Sequence, residues 1–350
     1  MHKIVAQDIK VIITNIGTDI NALEGKTVLF TGGSGFLGNY FLAVFQYLNA
    51  HQFKKSCTVI TVDNNITGSN ELFHNTKNSH IISIKHDVRK PLQIKQHVDF
   101  LIHAAGIAAP VYYKKYPIEA IEVATIGTKN MLEFARKHKV KSFLFFSSSE
   151  IYGDPDPAFI PTPETYRGNV SCVGPRACYD ESKRLGETLC MSYYRLYNLP
   201  VKIVRPFNVF GPGMKKHDYR VIPAFVANAL DKKPLQVHEE GNHTRTYCYI
   251  SDAVAGILKI LVSDRNSEIY NVGTDQMEIR TMSLARLIVT LMKKGEIKKV
   301  SYPQSYPHHD PQRRNPDLTK IKTELGYMPK ISLETGLERF IAWARDAWVS

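Results

Sequence analysis

Lys26-Thr-Val-Leu-Phe-Thr-Gly-Gly-Ser-Gly-Phe-Leu-Gly38 decides the fold of this 350-residue chain. A short apolar run with β-branched Val28 reads as a strand, and the apolar stretch from Phe36 to Phe45 reads as a helix. Between them Gly32, Gly35 and Gly38 fall at three-residue spacing. Glycines there permit a tight turn, close backbone approach to a pyrophosphate and close packing of helix on sheet. The helix N-terminus supplies N–H groups and positive dipole to the same anion. A glycine triplet alone is weak, but this one has a strand before it and a helix after it.

Working outward, Thr58-Val-Ile-Thr-Val62 reads as a second strand ending in Asp63, followed by Asn64. A carboxylate at that place accepts hydrogen bonds from the adenosine ribose hydroxyls and repels a 2′-phosphate, which favours NAD over NADP. Ile81 to Ile84 is a third apolar run, with Asp87-Val88 after it. Phe100-Leu-Ile-His-Ala-Ala-Gly106 is the fourth, running into small residues where backbone must approach a ligand. Helical stretches such as Ile118 to His138 alternate with these strands. The alternation predicts an α/β chain, a Rossmann-type doubly wound parallel sheet with a smaller interleaved C-terminal substrate lobe. Gly32, Gly35, Phe36, Leu37, Gly38, Asp63, Asn64, Asp87, Val88, Ala104 and Ala105 are the expected cofactor contacts.

The fifth strand, Ser142 to Phe146, delivers Ser147-Ser-Ser-Glu150 to the carboxyl edge of the sheet, where doubly wound folds bind ligands. Tyr179 and Lys183 lie four apart and share a helix face. A free tyrosine, with a pKa of about 10, is a poor base at neutral pH. A nearby Lys and a positive nicotinamide ring would lower it and make Tyr179 a usable proton acceptor. Hydroxyl, carboxylate and Tyr/Lys pair together suit oxidation of a sugar hydroxyl followed by chemistry on the ketone.

The gross composition narrows the classes of function. Lys and Arg number 45 against 33 Asp and Glu, a formal net charge of +12. The basic residues are scattered in pairs without an arm or stripe, which favours a solvated surface attracting anionic small molecules over nucleic acid. No window is apolar enough to cross a bilayer, and residues 1–20 do not read as a secretory signal. Five cysteines without a Cys-x-x-Cys pair give neither a disulfide framework nor a zinc site. A cytoplasmic, reducing setting is expected. His308 and His309 have no further ligand spacing around them, and no metal is expected.

From about Lys26 to Asp346 the chain resembles the extended short-chain dehydrogenase/reductases, in the branch that modifies nucleotide sugars. The residues that carry the resemblance are Thr31-Gly-Gly-Ser-Gly-Phe-Leu-Gly38, Asp63, Ile102-His-Ala-Ala105, Tyr179-x-x-x-Lys183, Arg205-Pro-Phe-Asn-Val-Phe-Gly-Pro212 and Tyr249-Ile-Ser-Asp252. Within the branch it is most similar to the UDP-glucuronate decarboxylases, also called UDP-xylose synthases. The specific matches are Ser149-Glu150, Gly174-Pro-Arg-Ala-Cys-Tyr-Asp-Glu181 and Asp310-Pro-Gln-Arg-Arg-Asn-Pro-Asp317.

The resemblance implies that Ser148 and Tyr179, with Lys183 beside the phenol, handle the sugar C4 hydroxyl while NAD takes the C4 hydride. The 4-ketone lies β to the carboxylate, carbon dioxide leaves, and the hydride returns, so NAD is held and not consumed. A 4,6-dehydratase carries Asp-Glu where this chain has Ser149-Glu150, and Ser149 cannot serve as the acid. Arg314 matches an arginine expected to face the sugar carboxylate. The resemblance further implies substrate contacts at Tyr112, Tyr113, Asn208, Arg220, His238 and Arg245, and a homodimer packed through helices around Ile118 to Phe134 and Tyr179 to Leu196.

The chain departs from its resembling group at three places. Val237-His238-Glu239 stands for Val-Tyr-Gly, Gly211-Pro-Gly-Met214 for Gly-Pro-Arg-Met, and Ala124 for an Asn. The first two leave the nucleotide base open. The alternatives are a 4-epimerase of a UDP-uronic acid or other nucleotide sugar, and a decarboxylase of a different nucleotide. The expected organisation is an extension over 1–25, a NAD-binding part over 26–204 and 248–273, and a nucleotide-sugar lobe over 205–247 and 274–350.

Overall fold

Residues 27–31 form the strand about which the molecule is built, because they are buried on both faces. In the computed structural model, which describes residues 1–67, 80–302 and 311–349, helix α1 (Lys3–Ile16) and a 3-10 turn (Gly17–Leu23) precede β1 (Thr27–Thr31). Next come α2 (Phe36–His51), β2 (Thr58–Asp63), β3 (Ile81–Lys85), β4 (Phe100–His103), α3 (Pro110–Lys115), α4 (Pro117–Glu122) and α5 (Thr128–His138). Then follow β5 (Ser142–Phe146), α6 (Ala177–Tyr197), β6 (Val201–Pro206), β7 (Val209–Phe210), α7 (Val221–Leu230), β8 (Leu235–His238), β9 (Thr244–Arg245) and β10 (Cys248–Tyr249). The chain finishes with α8 (Ile250–Val262), β11 (Glu268–Val272), β12 (Ile279–Arg280), α9 (Thr281–Met292), β13 (Ile297–Val300), β14 (Arg313–Arg314), α10 (Thr319–Leu325) and α11 (Leu333–Val349).

Seven strands form one parallel sheet in the order β11-β6-β5-β4-β1-β2-β3. The order reverses between β1 and β4, which pair Val28 with Phe100 and Thr31 with His103. At such a switch point the loops leaving two neighbouring strands diverge and open a crevice. Alternation along β1 sends Val28 and Phe30 to the core shared with Phe41, Phe45 and Ile257, and Leu29 to the opposite core with Met131, Phe143 and Cys190. That double burial explains why the strand reads as a continuous apolar run.

The single helix expected over Ile118 to His138 is interrupted. A π-turn, Val123–Gly127, separates α4 from α5. Thr125 and Thr128 donate their hydroxyls to the carbonyls of Ile121 and Ala124, both at 2.7 Å. Such back-bonding locally perturbs a helical ladder. Ala124, one of the departures noted above, is buried in this turn, and its carbonyl lies against Gly186 of α6.

Residues 1–25 are integral to the core, where Ile4, Ile9, Ile12, Ile16, Ile20 and Leu23 are buried. Asp8, fully buried, accepts hydrogen bonds from Tyr40 of α2 at 3.1 Å, Tyr249 of β10 at 2.8 Å and Arg339 of α11 at 2.9 Å. Asp8→Ala would leave two buried hydroxyls and a guanidinium without their acceptor. It is expected to cost about 3–5 kcal/mol, read as a lowered denaturation midpoint.

Candidate active site

The first turn of α2 faces the switch-point crevice, and the glycine run shapes it. Gly32 has φ +78°, and a Cβ there would sit 2.8 Å from the backbone of Ala104 and Ala105. At Gly38 a Cβ would fall 2.5 Å from the Gly33 carbonyl oxygen. α2 has no side-chain cap at Gly35, so its first N–H groups are left to a ligand. Asp63, at the end of β2, accepts from the N–H of Ser34 at 3.1 Å and of Asn65 at 2.8 Å. A backbone cradle, an uncapped helix start and an acidic strand end fit a dinucleotide with a free ribose 2′-hydroxyl. Gly32→Ala is expected to weaken cofactor retention at least about tenfold, read as nucleotide released on denaturing the purified protein.

A cavity of about 390 Å³ runs along this edge. It is lined by Gly32, Gly35, Phe36, Leu37, Gly38, Asp63, Asn64, Val88, Ala104 and Ala105 among the expected cofactor contacts, and by Ser148, Ser149, Glu150, Tyr179, Lys183, Tyr112, Asn208 and Arg220. Asp87, also expected to contact the cofactor, lies between two residues of the cavity wall, His86 and Val88, with its own carboxylate turned to Arg89. Arg89 donates to it from Nε at 2.9 Å and Nη2 at 2.7 Å, holding the carboxyl below its usual range. The sequence did not single out Thr67, Lys215 or Asp218, which also line it; Lys215 reaches across to the Thr67 carbonyl at 2.9 Å.

A second cavity of about 740 Å³ adjoins the first and shares Glu150, Asn208 and Arg220 with it. Tyr113, His238, Arg245 and Arg314 line this second space. His238 stacks on Tyr302 with ring centroids 4.7 Å apart, and His243 lies beyond the same tyrosine at 6.2 Å. Arg220 is bound by Asp218, with Nε to Oδ1 at 2.9 Å, and its guanidinium lies over Phe36 of the cofactor turn. Arg245 donates to the carbonyls of Thr244, Pro311 and Gln312, which ties β9 to the segment entering β14. Asn208, at φ +38°, donates to the Thr246 carbonyl. His308 and His309 lie outside the described residues.

The catalytic candidates converge where the cavities meet. Ser148 caps a 3-10 turn, Ser149–Tyr152, and its Oγ accepts from the Glu150 N–H at 3.2 Å. Beneath this turn Ser147 donates to Glu187 at 2.5 Å, Glu187 pairs with Arg205 at 2.7 Å, and Arg205 donates to Tyr152 at 2.7 Å. This buried network fixes the turn to β6 and α6.

Tyr179 is buried and stacks on Tyr113 with centroids 5.5 Å apart. Burial pushes its phenol up, while a hydrogen bond with Ser148 and the charges of Arg176 and Arg314 pull it down. The lowering expected from Lys183 does not emerge from the chain's own groups. The Lys183 ammonium donates to the Phe146 carbonyl at 2.7 Å and stands 5.9 Å from the Tyr179 ring centroid. Burial brings that ammonium down to about 8.

Arg314 lines the second cavity and there makes a two-pronged ion pair with Glu150, through Nη1 to Oε1 and Nη2 to Oε2. Arg176 pairs with the same carboxylate from another side. Arg176 stands in the Gly174-Pro-Arg176 run of the sequence and had no expected role. Its place three residues before Tyr179 was the available signal, since that spacing puts it near Tyr179 on α6.

The switch-point glycine cradle, with Ser148, Tyr179 and Lys183 on the same cavity wall, is that of a NAD-dependent enzyme. Residues 28–273 match the NAD dependent epimerase/dehydratase family, and the chain belongs to that family. It is 39% identical over 316 residues to UDP-glucuronic acid decarboxylase 2 of Arabidopsis thaliana, covering 90% of this chain and 67% of that protein. It is also 39% identical over 324 residues to UDP-glucuronic acid decarboxylase 1 of Xenopus tropicalis, covering 92% and 73%. A solved dTDP-glucose 4,6-dehydratase, DesIV of Streptomyces venezuelae with NAD and TYD bound, matches with a TM-score of 0.81 at 26% identity, over 92% of this chain and 97% of that one.

Proposed function

We propose that the protein converts UDP-glucuronate to UDP-xylose and carbon dioxide, using NAD that is regenerated within each turnover. The observation that carries this reading is the Glu150–Arg314 pair beside Ser149 at the junction of the two cavities. A dehydratase needs an acid where this chain has Ser149, and a uronate needs the cation that Arg314 supplies. Relatives at 39% identity named UDP-glucuronic acid decarboxylases support the same substrate.

Tyr179 Oη takes the proton of the sugar C4 hydroxyl, with Ser148 holding the shared hydrogen bond. Lys183, whose ammonium stands 5.9 Å from the ring centroid, does not itself bring the phenol down, and the positive nicotinamide ring would supply the remaining pull toward the phenolate. The turn from Gly32 to Gly38 and the Asp63 carboxylate would hold NAD, which would supply reversible hydride acceptance at C4. The C4 ketone is then β to the C5 carboxylate, so the C5–carboxyl bond breaks with its electrons delocalised into the ketone. Arg314 orients that carboxylate, and Glu150 stays at the sugar edge. One proton is added at C5, and the Tyr179 proton returns to the C4 oxygen. Substrate plus one proton gives UDP-xylose plus carbon dioxide.

The other assignments follow. Residues 26–204 and 248–273 hold NAD, and 205–247 and 274–350 hold the nucleotide sugar, with His238 on Tyr302 as an aromatic platform in the second cavity. Exposed Ile118 and Ile126 near α4, and Leu185 and Leu196 on α6, support a homodimer. Among the described residues no helix is long and apolar enough to cross a membrane. Five unbridged cysteines support a cytoplasmic setting. The test is to incubate the purified protein with UDP-glucuronate and weigh the product. A UDP-pentose with evolved carbon dioxide is expected; an isomer of unchanged mass would establish an epimerase instead.

A further inference from the structure

Glu150 is held by two arginines at once, although one would neutralise it. Arg314 occupies both of its oxygens from β14, and Arg176 adds a second pair from the start of α6. Arg176 is in turn held by Asp180, with Nε to Oδ2 at 3.5 Å. The four side chains form a chain, Asp180, Arg176, Glu150, Arg314, that is one-fifth exposed at its most open member and balanced at two charges of each sign. Its two ends are incompletely satisfied: Asp180 Oδ1 and Arg314 Nε are buried with no hydrogen-bond partner. Burial pushes the Asp180 carboxyl up, against the pull of Arg176 and Arg314.

A substrate carboxylate arriving at Arg314 competes with Glu150 for the same donors. Were Arg314 the sole partner of Glu150, recruiting it would strand a carboxylate in a largely buried site, which is costly. The second arginine removes that cost. We infer that Arg176 is a positioning residue which retains Glu150 while Arg314 passes from Glu150 to the substrate carboxylate, with Asp180 anchoring Arg176. This rests on the uronate reading above and deepens it. It also gives the position of Asp180, directly after Tyr179, a purpose: the anchor and the phenol move with one helix turn.

The test compares binding of UDP-glucuronate and of UDP to the NAD-loaded protein by calorimetry in wild type, R176M, E150Q and R176M/E150Q, each also carrying Y179F so that the bound uronate is not turned over. R176M should weaken UDP-glucuronate about tenfold and leave UDP unchanged. E150Q, which frees Arg314, should bind UDP-glucuronate at least as tightly as wild type, and R176M should have no further effect in that background. R176K, which keeps the charge but loses the planar fork, should fall between wild type and R176M, and it carries the comparison if R176M does not fold. Equal weakening of UDP and UDP-glucuronate, weakening of UDP-glucuronate in both backgrounds, or no weakening would each overturn the role given to Arg176. A wild type that binds UDP but shows no added affinity for the uronate would instead refute the substrate reading.

Discussion

Tyr179→Phe is expected to lower turnover of UDP-glucuronate by roughly 10²–10⁴-fold, the usual worth of a positioned acid–base group. NAD content of the purified variant should not change. The phenol oxygen is the atom that takes the C4 proton, whereas the ring makes the contacts that hold the local structure: it stacks on Tyr113, and the Lys183 ammonium stands over it. Phe preserves both and deletes the oxygen. The hydrogen bond with Ser148 is lost as well, but Ser148 remains bound to the Glu150 N–H through its own turn. Turnover is read by carbon dioxide release, and cofactor content by nucleotide freed on denaturation. Near-normal turnover would remove Tyr179 from the mechanism; loss of NAD along with activity would make its role structural.

Arg314→Lys should separate the two halves of the reaction. Lysine keeps a positive charge but replaces a planar two-pronged donor with a single ammonium. The two-pronged pair with Glu150 cannot form, and a substrate carboxylate is no longer held in one plane. Decarboxylation is expected to fall about 10²-fold, while oxidation at C4, served by Ser148, Tyr179 and Lys183, changes far less. The signature is reduced cofactor building up on the enzyme to near one equivalent during turnover. Equal loss of both steps, with no reduced cofactor, would place Arg314 in general substrate binding.

What was legible in the sequence was local. Gly32, Gly35 and Gly38 announce a cradle because their spacing and the flanking apolar runs lie within one short segment. The strands could be read because burial on both faces makes them continuously apolar. Tyr179 and Lys183 share a helix face by arithmetic. The pairing of Glu150 with Arg314 spans 164 positions, and nothing in the spacing says that the arginine meets Glu150 before it meets a ligand. The same holds for Asp8, whose partners Tyr249 and Arg339 lie 241 and 331 positions away. Asp87 follows a strand end, as expected of a cofactor contact, and the sequence does not show that its carboxylate is shared with Arg89, two residues on. The break in the helix over 118–138 arises from Thr125 and Thr128 bonding back to the backbone, a choice that apolar periodicity does not encode.

Carbon dioxide leaves a C4-oxidised sugar and the original hydride returns to C4; turnover of UDP-glucuronate in deuterium oxide, with the product examined by mass and proton resonance, tests this sequence of steps. A UDP-pentose carrying one solvent deuteron at C5 and its original hydrogen at C4 is the predicted result. A product that keeps its carboxylate would rule out decarboxylation, and a pentose with deuterium at C4 would rule out return of the original hydride.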